Sequence, residues 1–209
     1  IGFQGIRFDL AKYSWIGKAS NEVRVFIVGV NTPFKTFKDI LESKEPIKMA
    51  ASGVGTAAYN DVLIAAAATG APLKVIPGYG GREGEMAMMR GEVVGQIGSY
   101  IGLAAFIKAK ECRVILQIAA KKHRDLSDVP LASELKITDK AKKILAVIEG
   151  TAELGRLTAA PPNVPAGRLQ ALRDAYKKAL TDPALLKEAA KMDLDIDPGY
   201  GEDAAKLVK

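Results

Sequence analysis

The run Ile47-Lys-Met-Ala-Ala-Ser-Gly-Val-Gly-Thr-Ala-Ala58 constrains this chain more than any other stretch. A short apolar strand climbs to Ala51, Ser52 and Gly53 turn the backbone, and Thr56 opens a long alanine-rich helix. A junction of this kind aims several free backbone N–H groups, and the positive end of the helix dipole, at one spot outside a sheet edge. An anion suits that spot. Ser52, Gly53, Val54, Gly55 and Thr56 are therefore candidate binding residues, with the Ser52 and Thr56 hydroxyls adding to the N–H groups of Gly53 to Thr56.

Two further readings compete for this loop. Gly53-Val54-Gly55-Thr56-Ala57-Ala58 fits the G-x-G-x-x-A form of the dinucleotide fingerprint. That motif needs an acidic residue at the end of the next strand to hold a ribose hydroxyl. The next apolar strand, Leu73 to Ile76, runs instead into Pro77-Gly78-Tyr79-Gly80-Gly81. A nucleotide- or phosphate-dependent α/β enzyme using Gly53-Val54-Gly55 is kept as the alternative. The third reading is a glycine turn with no ligand at all.

The chain has 209 residues, a length that suits one large domain or two smaller lobes. Its net charge of +6 fits attraction of small acids, and the 26% of charged residues are spread along the chain. No basic run has the density or aromatic interleaving of a nucleic-acid face, so no nucleic-acid partner is expected. Lys121-Lys122-His123-Arg124 reads as a solvated turn. The single cysteine, Cys112, opens an apolar stretch and is expected to be buried and inert. Val62 to Ala71 is apolar but too short to span a bilayer. The chain opens at Ile1 rather than methionine, and Ile1–Trp15 shows neither cap nor periodicity. It reads as a piece of a longer precursor.

Strands and helices alternate along the first two thirds. Strands are expected at 22–30, 47–51, 73–76, 93–97 and 114–119. Helices are expected from Thr36, with a capping-box start, and at 56–69, 83–90 and 100–109. This alternation predicts a mainly parallel sheet with helices on both faces. Ligands of such sheets bind beyond the carboxyl ends of the strands. The loops starting at Ser52, Pro77 and Gly98 should then share a cleft. Met86, Met88 and Met89 are expected to fill core. The last third predicts helices at 139–145, 165–180 and 183–192, the last capped by Asp182 with Pro183. Gly155 to Pro165 reads as an extended crossing between lobes.

Several segments occur in an order that resembles one family. They are Ala50-Ala-Ser-Gly-Val-Gly-Thr56, Val75-Ile-Pro-Gly-Tyr-Gly-Gly81, Met89-Arg-Gly-Glu-Val93 with Ser99, Leu126-Ser-Asp-Val-Pro130 and Leu157-Thr-Ala-Ala-Pro-Pro-Asn-Val-Pro165. Leu180-Thr-Asp-Pro183 and Gly199-Tyr-Gly-Glu-Asp203 continue the likeness. The chain is similar to the solute receptors of tripartite tricarboxylate transporters, the TctC or Bug family. The resemblance implies a periplasmic binding protein of type II, with two α/β lobes around a ligand cleft. It implies a monomeric, periplasmic, non-catalytic receptor without cofactor or metal, which passes a small organic carboxylate to membrane permease subunits. Residues 1–30 and 155–209 would form the first lobe, and 31–154 the second. The family's opening strand and its Pro/Gly-rich loop are not in this sequence, so the first lobe is expected to be incomplete.

By the same resemblance, Pro77, Gly78, Tyr79 and Gly80 stand where the family has a Pro-Tyr-Lys-Gly loop, and Ser99 completes the set of binding residues. The family usually has an aspartate after the next strand, touching the distal part of the ligand, and Gly98 stands there. Loss of that acid removes a partner for an amino group, which favours a plain carboxylate over an amino acid. The tryptophan common before the lobe crossing is also missing, with Glu153-Leu-Gly155 near that point. Arg82, beside the glycine loop, is read either as a bidentate carboxylate contact or as a solvated or salt-bridged arginine. Ser52 lacks the G-x-S-x-G elbow of a nucleophile, and the one histidine, His123, makes a poor base for it.

Overall fold

The computed structural model describes residues 8–192 and 194–207, so the first part of the Ile1–Trp15 opening lies outside the described residues. Along the chain the elements are β1 (Ser14–Lys18), β2 (Arg24–Gly29), α1 (Phe37–Glu42), β3 (Ile47–Ala51), α2 (Ala57–Thr69), β4 (Leu73–Pro77), α3 (Glu83–Met89) and β5 (Gly95–Ser99). They continue with α4 (Tyr100–Lys108), β6 (Cys112–Ile118), α5 (Asp139–Glu153), β7 (Leu157–Ala160), α6 (Ala166–Leu180), α7 (Pro183–Lys191), β8 (Gly199–Tyr200) and α8 (Gly201–Lys206). They divide into two compact units, Glu22–Ala152 and the pair of segments Ile1–Asn21 and Glu153–Lys209.

The unit Glu22–Ala152 is built on a five-stranded sheet in the order β4-β3-β5-β2-β6. β3 lies parallel to both β4 and β5, whereas β2 is antiparallel to β5 and to β6. The sheet is thus mixed rather than mainly parallel in its pairings. A continuous apolar run such as Arg-Val-Phe-Ile-Val-Gly carries no mark of its direction, and every residue of β2 is buried. That burial also moves a boundary. The resemblance places residues 22–30 with the first lobe, whereas β2 is paired on both sides inside this sheet. The units change at Asn21 and at Ala152, not at residues 30 and 154.

Two apolar layers cover the sheet. Phe26, Val28, Met49, Ile97 and Leu116 pack with Phe37 and Ile40 of α1, Val62 and Ala65 of α2, and Leu145 and Ile148 of α5. Val25, Ile27 and Ala50 pack on the other side with Ala87 and Met88 of α3 and Tyr100 and Leu103 of α4. Alternate residues of β2 therefore serve opposite layers, as a strand's period of two requires. Met88 is core, but Met86 and Met89 are 55% and 53% exposed and do not fill it. They lie on the solvent side of a short helix that buries only its Gly84, Ala87 and Met88 face. At Gly95 the sheet is as tight as backbone allows, because a Cβ there would sit 2.1 Å from the Ile27 carbonyl oxygen.

Local chemistry sets the ends of the helices. Thr36 and Asp39 form a capping box on α1, with the Asp39 carboxylate accepting from the N–H groups of Lys35 and Thr36 at 2.7 and 2.9 Å. Those two bonds hold the Asp39 carboxyl below its ordinary range. α2 ends at Gly70, whose φ of 70° is left-handed.

The other unit carries a three-stranded antiparallel sheet, β7-β1-β8. The segment read as a lobe crossing holds β7, which pairs along β1 from Ser14 to Lys18. Asp9 caps a short 3₁₀ turn at Leu10–Lys12, a signal missed in the opening segment. Arg173 of α6 donates from Nε to the Trp15 carbonyl at 3.1 Å and so ties this helix to β1. Asp182 caps α7, accepting from Ala184 and Leu185. Among the described residues no helix is long and apolar enough to cross a membrane.

Candidate functional site

β3, β4 and β5 all end at the same edge of the five-stranded sheet, and a cavity of about 410 Å³ lies there. Its lining includes Ser52 and Thr56 from the first loop, Tyr79 and Gly81 from the second, and Gly98 and Ser99 from the third. The three loops thus meet around one space. Gly53, Val54, Gly55, Pro77, Gly78 and Gly80 do not line it. Val54 is turned outward and is 75% exposed. Arg82 is exposed and also stands outside the lining.

The donors of the first loop differ from those the sequence suggests. Thr56 is the N-cap of α2. Its hydroxyl donates to the Gly53 carbonyl at 2.7 Å and accepts from the Tyr59 N–H at 3.4 Å. Its own N–H closes the turn onto the Gly53 carbonyl. Thr56 is therefore committed to holding the loop, and Asn60 helps by donating to the Gly55 carbonyl at 3.2 Å. The free donors move one residue on. Ala57 and Ala58 open α2 and line the cavity, and first-turn N–H groups have no acceptor within the helix. Ser52 stands beside them, its hydroxyl 3.3 Å from that of Thr56.

The second loop contributes surface rather than N–H donors at two positions. The Tyr79 N–H donates to the Ala51 carbonyl at 3.1 Å, and the Gly80 N–H to Glu83 Oε2 at 2.8 Å. In the third loop, Ser99 is the N-cap of α4 but makes no capping bond. Its hydroxyl oxygen is buried and has no hydrogen-bond partner among the described residues. Gly98 precedes it for a steric reason. A Cβ at residue 98 would lie 2.8 Å from Cδ1 of Leu103, so α4 occupies the space a side chain would need.

Four polar residues on the cavity or behind it escaped the sequence reading. Arg24 and Asp61 are 7% and 4% exposed, and Arg24 Nε donates to Asp61 Oδ2 at 2.8 Å. Arg24 lines the cavity and Glu22 lies 3.9 Å from its Nη1. Burial pushes the Asp61 carboxyl above its ordinary value, and the Arg24 guanidinium opposes that shift. Glu85 of α3 and Gln96 of β5 complete the polar lining. A usable signal existed for the first pair only. Arg24 interrupts an apolar strand and Asp61 is the lone charge in an alanine-rich helix.

His123 is not on a solvated turn. It is buried, its ring lies 4.0 Å from that of Tyr100, and its Nδ1 accepts from the Asp125 N–H at 3.2 Å. The backbone N–H of His123 donates to buried Gln117, which in turn donates to the Leu126 and Val129 carbonyls. This cluster pins the segment after β6. Burial, with Glu85 and Glu111 nearby, pushes the Cys112 thiol up to about 12. Among the described residues no group of three or more His, Cys, Asp or Glu could hold a metal ion.

The family model described as "Tripartite tricarboxylate transporter family receptor", TctC, matches residues 3–209. The chain belongs to the TctC receptor family. Solved structures agree with the fold of this TctC-family chain. A TctC solute binding protein from Polaromonas, without ligand, superposes with a TM-score of 0.75 at 14% identity, covering 97% of this chain and 67% of that one. Rpa4515 of R. palustris with adipate gives 0.70 at 16% identity, over 99% of this chain and 72% of that one. MatC (Rpa3494) from Rhodopseudomonas palustris with bound malate gives 0.70 at 16% identity, over 99% and 69%. The TctC-family chain thus spans about two thirds of the length of the structures it resembles. No curated protein sequence matches it.

Proposed function

We propose that this chain captures a small organic carboxylate in the periplasm and delivers it to the membrane permease of a tripartite tricarboxylate-type transporter. The observation that carries the reading is the convergence of unused donors on one cavity. The first-turn N–H groups of Ala57 and Ala58 and the unpartnered Ser99 hydroxyl belong to residues that line it. Fixed N–H dipoles at a helix start hold one negative charge without a lysine. Ser52 supplies a further hydroxyl, and Tyr79 a wall. The related structures with adipate and malate bound support the same ligand class. On this reading the site is non-catalytic and the two units are the lobes of a type II binding protein.

Thermal-shift measurements with malate, adipate and succinate, against NAD and ATP, test the proposal. A ligand that binds only the folded state at a hundredfold excess over Kd stabilises it by about 2.7 kcal/mol. Stabilisation by carboxylates is expected. Stabilisation by nucleotides alone would favour the alternative of a nucleotide-dependent enzyme.

A further inference from the structure

Glu85 is the charge in the cavity lining that no described residue balances. It sits on α3, half-buried, among the residues that line the space. Among the described residues it makes no hydrogen bond or ion pair. The other charge in the lining, Arg24, is already bonded to Asp61. Glu85 is therefore a lining charge without a counter-charge among the described residues.

The two kinds of group reach the cavity from opposite sides of the sheet. The amides of Ala57 and Ala58 come from α2, in the layer of Val62 and Ala65, and Glu85 from α3, in the layer of Ala87 and Met88. Gln96 of β5 stands against α3, since a Cβ on Gly84 would meet its Oε1 at 2.6 Å. Its amide makes no hydrogen bond to the described residues, so it can present a donor and an acceptor beside Glu85. The α2 side of the lining attracts negative charge and the α3 side attracts positive charge.

Resting on the carboxylate-receptor reading, we propose that the ligand carries a positively charged nitrogen as well as a carboxylate, and that Glu85 is the acidic partner of that nitrogen. A plain carboxylate held at the start of α2 leaves Glu85 to be desolvated as the site fills, with no counter-charge to offset the cost. A cationic ammonium on the same ligand supplies the counter-charge and two or three N–H donors, for Glu85 and for the carbonyl oxygen of Gln96. The acid expected where Gly98 stands, near the end of β5, is thus replaced from a different element, and the preference for plain acids drawn from Gly98 reverses.

Calorimetric titration of the protein with matched pairs tests this, each pair differing by one amino group: succinate and aspartate, glutarate and glutamate, 4-methylvalerate and leucine, 3-phenylpropionate and phenylalanine. The amino member of any pair that binds is expected to bind at least about tenfold more tightly. Glu85→Gln is expected to weaken that member about tenfold or more and to leave its plain partner within about threefold. Plain acids that bind as tightly as their amino partners overturn the proposal and leave the carboxylate reading intact. Equal weakening of both members by Glu85→Gln overturns it as well. Failure of every acid to bind overturns both.

Discussion

Arg24 Nε and Asp61 Oδ2 meet at 2.8 Å in the interior of the unit Glu22–Ala152, joining strand β2 to helix α2 directly behind the candidate site. Nη2 of the same arginine donates to the same oxygen. The pair locks the second turn of α2, and with it the first-turn amides, against the sheet.

Removing one partner strands the other as a buried charge, which costs about 3–5 kcal/mol. Arg24→Met and Asp61→Leu should each lower the urea midpoint strongly. The double variant should recover much of the loss, because it leaves no charge unpaired. Additive losses in the double variant would mean that the pair is not coupled.

Gly95 is fixed by backbone rather than by side-chain packing. A methyl group there would overlap the Ile27 carbonyl oxygen, so Gly95→Ala must part β5 from β2. A loss of about 1–3 kcal/mol is expected from overpacking of this kind. Equilibrium unfolding checks it, and an unchanged midpoint would show that the strands can separate freely.

Much of the fold was legible in the sequence because it rests on local signals. Thr36 and Asp39 announce a helix start, Asp182 with Pro183 another, and the apolar runs at β2, β3 and β6 stand out as strands. Strand direction was not legible, since the pairing of β2 with β5 and β6 is decided by long-range packing. The loop positions around the site could be read from the ends of β3, β4 and β5. The donors within them could not. Thr56 looks like a ligand hydroxyl until its bond to Gly53 is seen, and nothing marks Glu85 as a cavity residue until α3 is placed. His123 misled because a basic run gives no sign that its imidazole packs against Tyr100.

Asp39 gives the stability of α1 a dependence on pH. Its carboxyl is held below the ordinary value of 3.8, so its contribution is present above that value and is lost as pH falls through the lower, folded-state value. Asp39→Asn should therefore lower the urea midpoint near neutral pH, and the gap to the parent should close on acidification below about pH 4. A gap that stays constant would mean that the capping bonds of Asp39 do not depend on its charge.

Cys112 should be unreactive while the chain is folded. Its thiol is pushed up to about 12, so the thiolate is scarce near neutral pH, and the side chain is buried. Ellman's reagent is expected to label it only after denaturant is added. Rapid labelling of the native protein would contradict the burial.

Anion binding depends on the free amides at the start of α2, and Ala57→Pro tests them directly. Proline suits the first helical position, where its missing N–H breaks no intrahelical bond, and Thr56 already has the extended ψ of 162° that a following proline prefers. The variant therefore deletes one donor while leaving the helix intact. A hydrogen bond to a charged group is worth about 1.5–3 kcal/mol, which corresponds to about a ten- to hundredfold change in Kd. Titration calorimetry with the tightest-binding carboxylate should show that loss, with an unchanged urea midpoint. Binding equal to the parent's would mean that the start of α2 does not hold the anion.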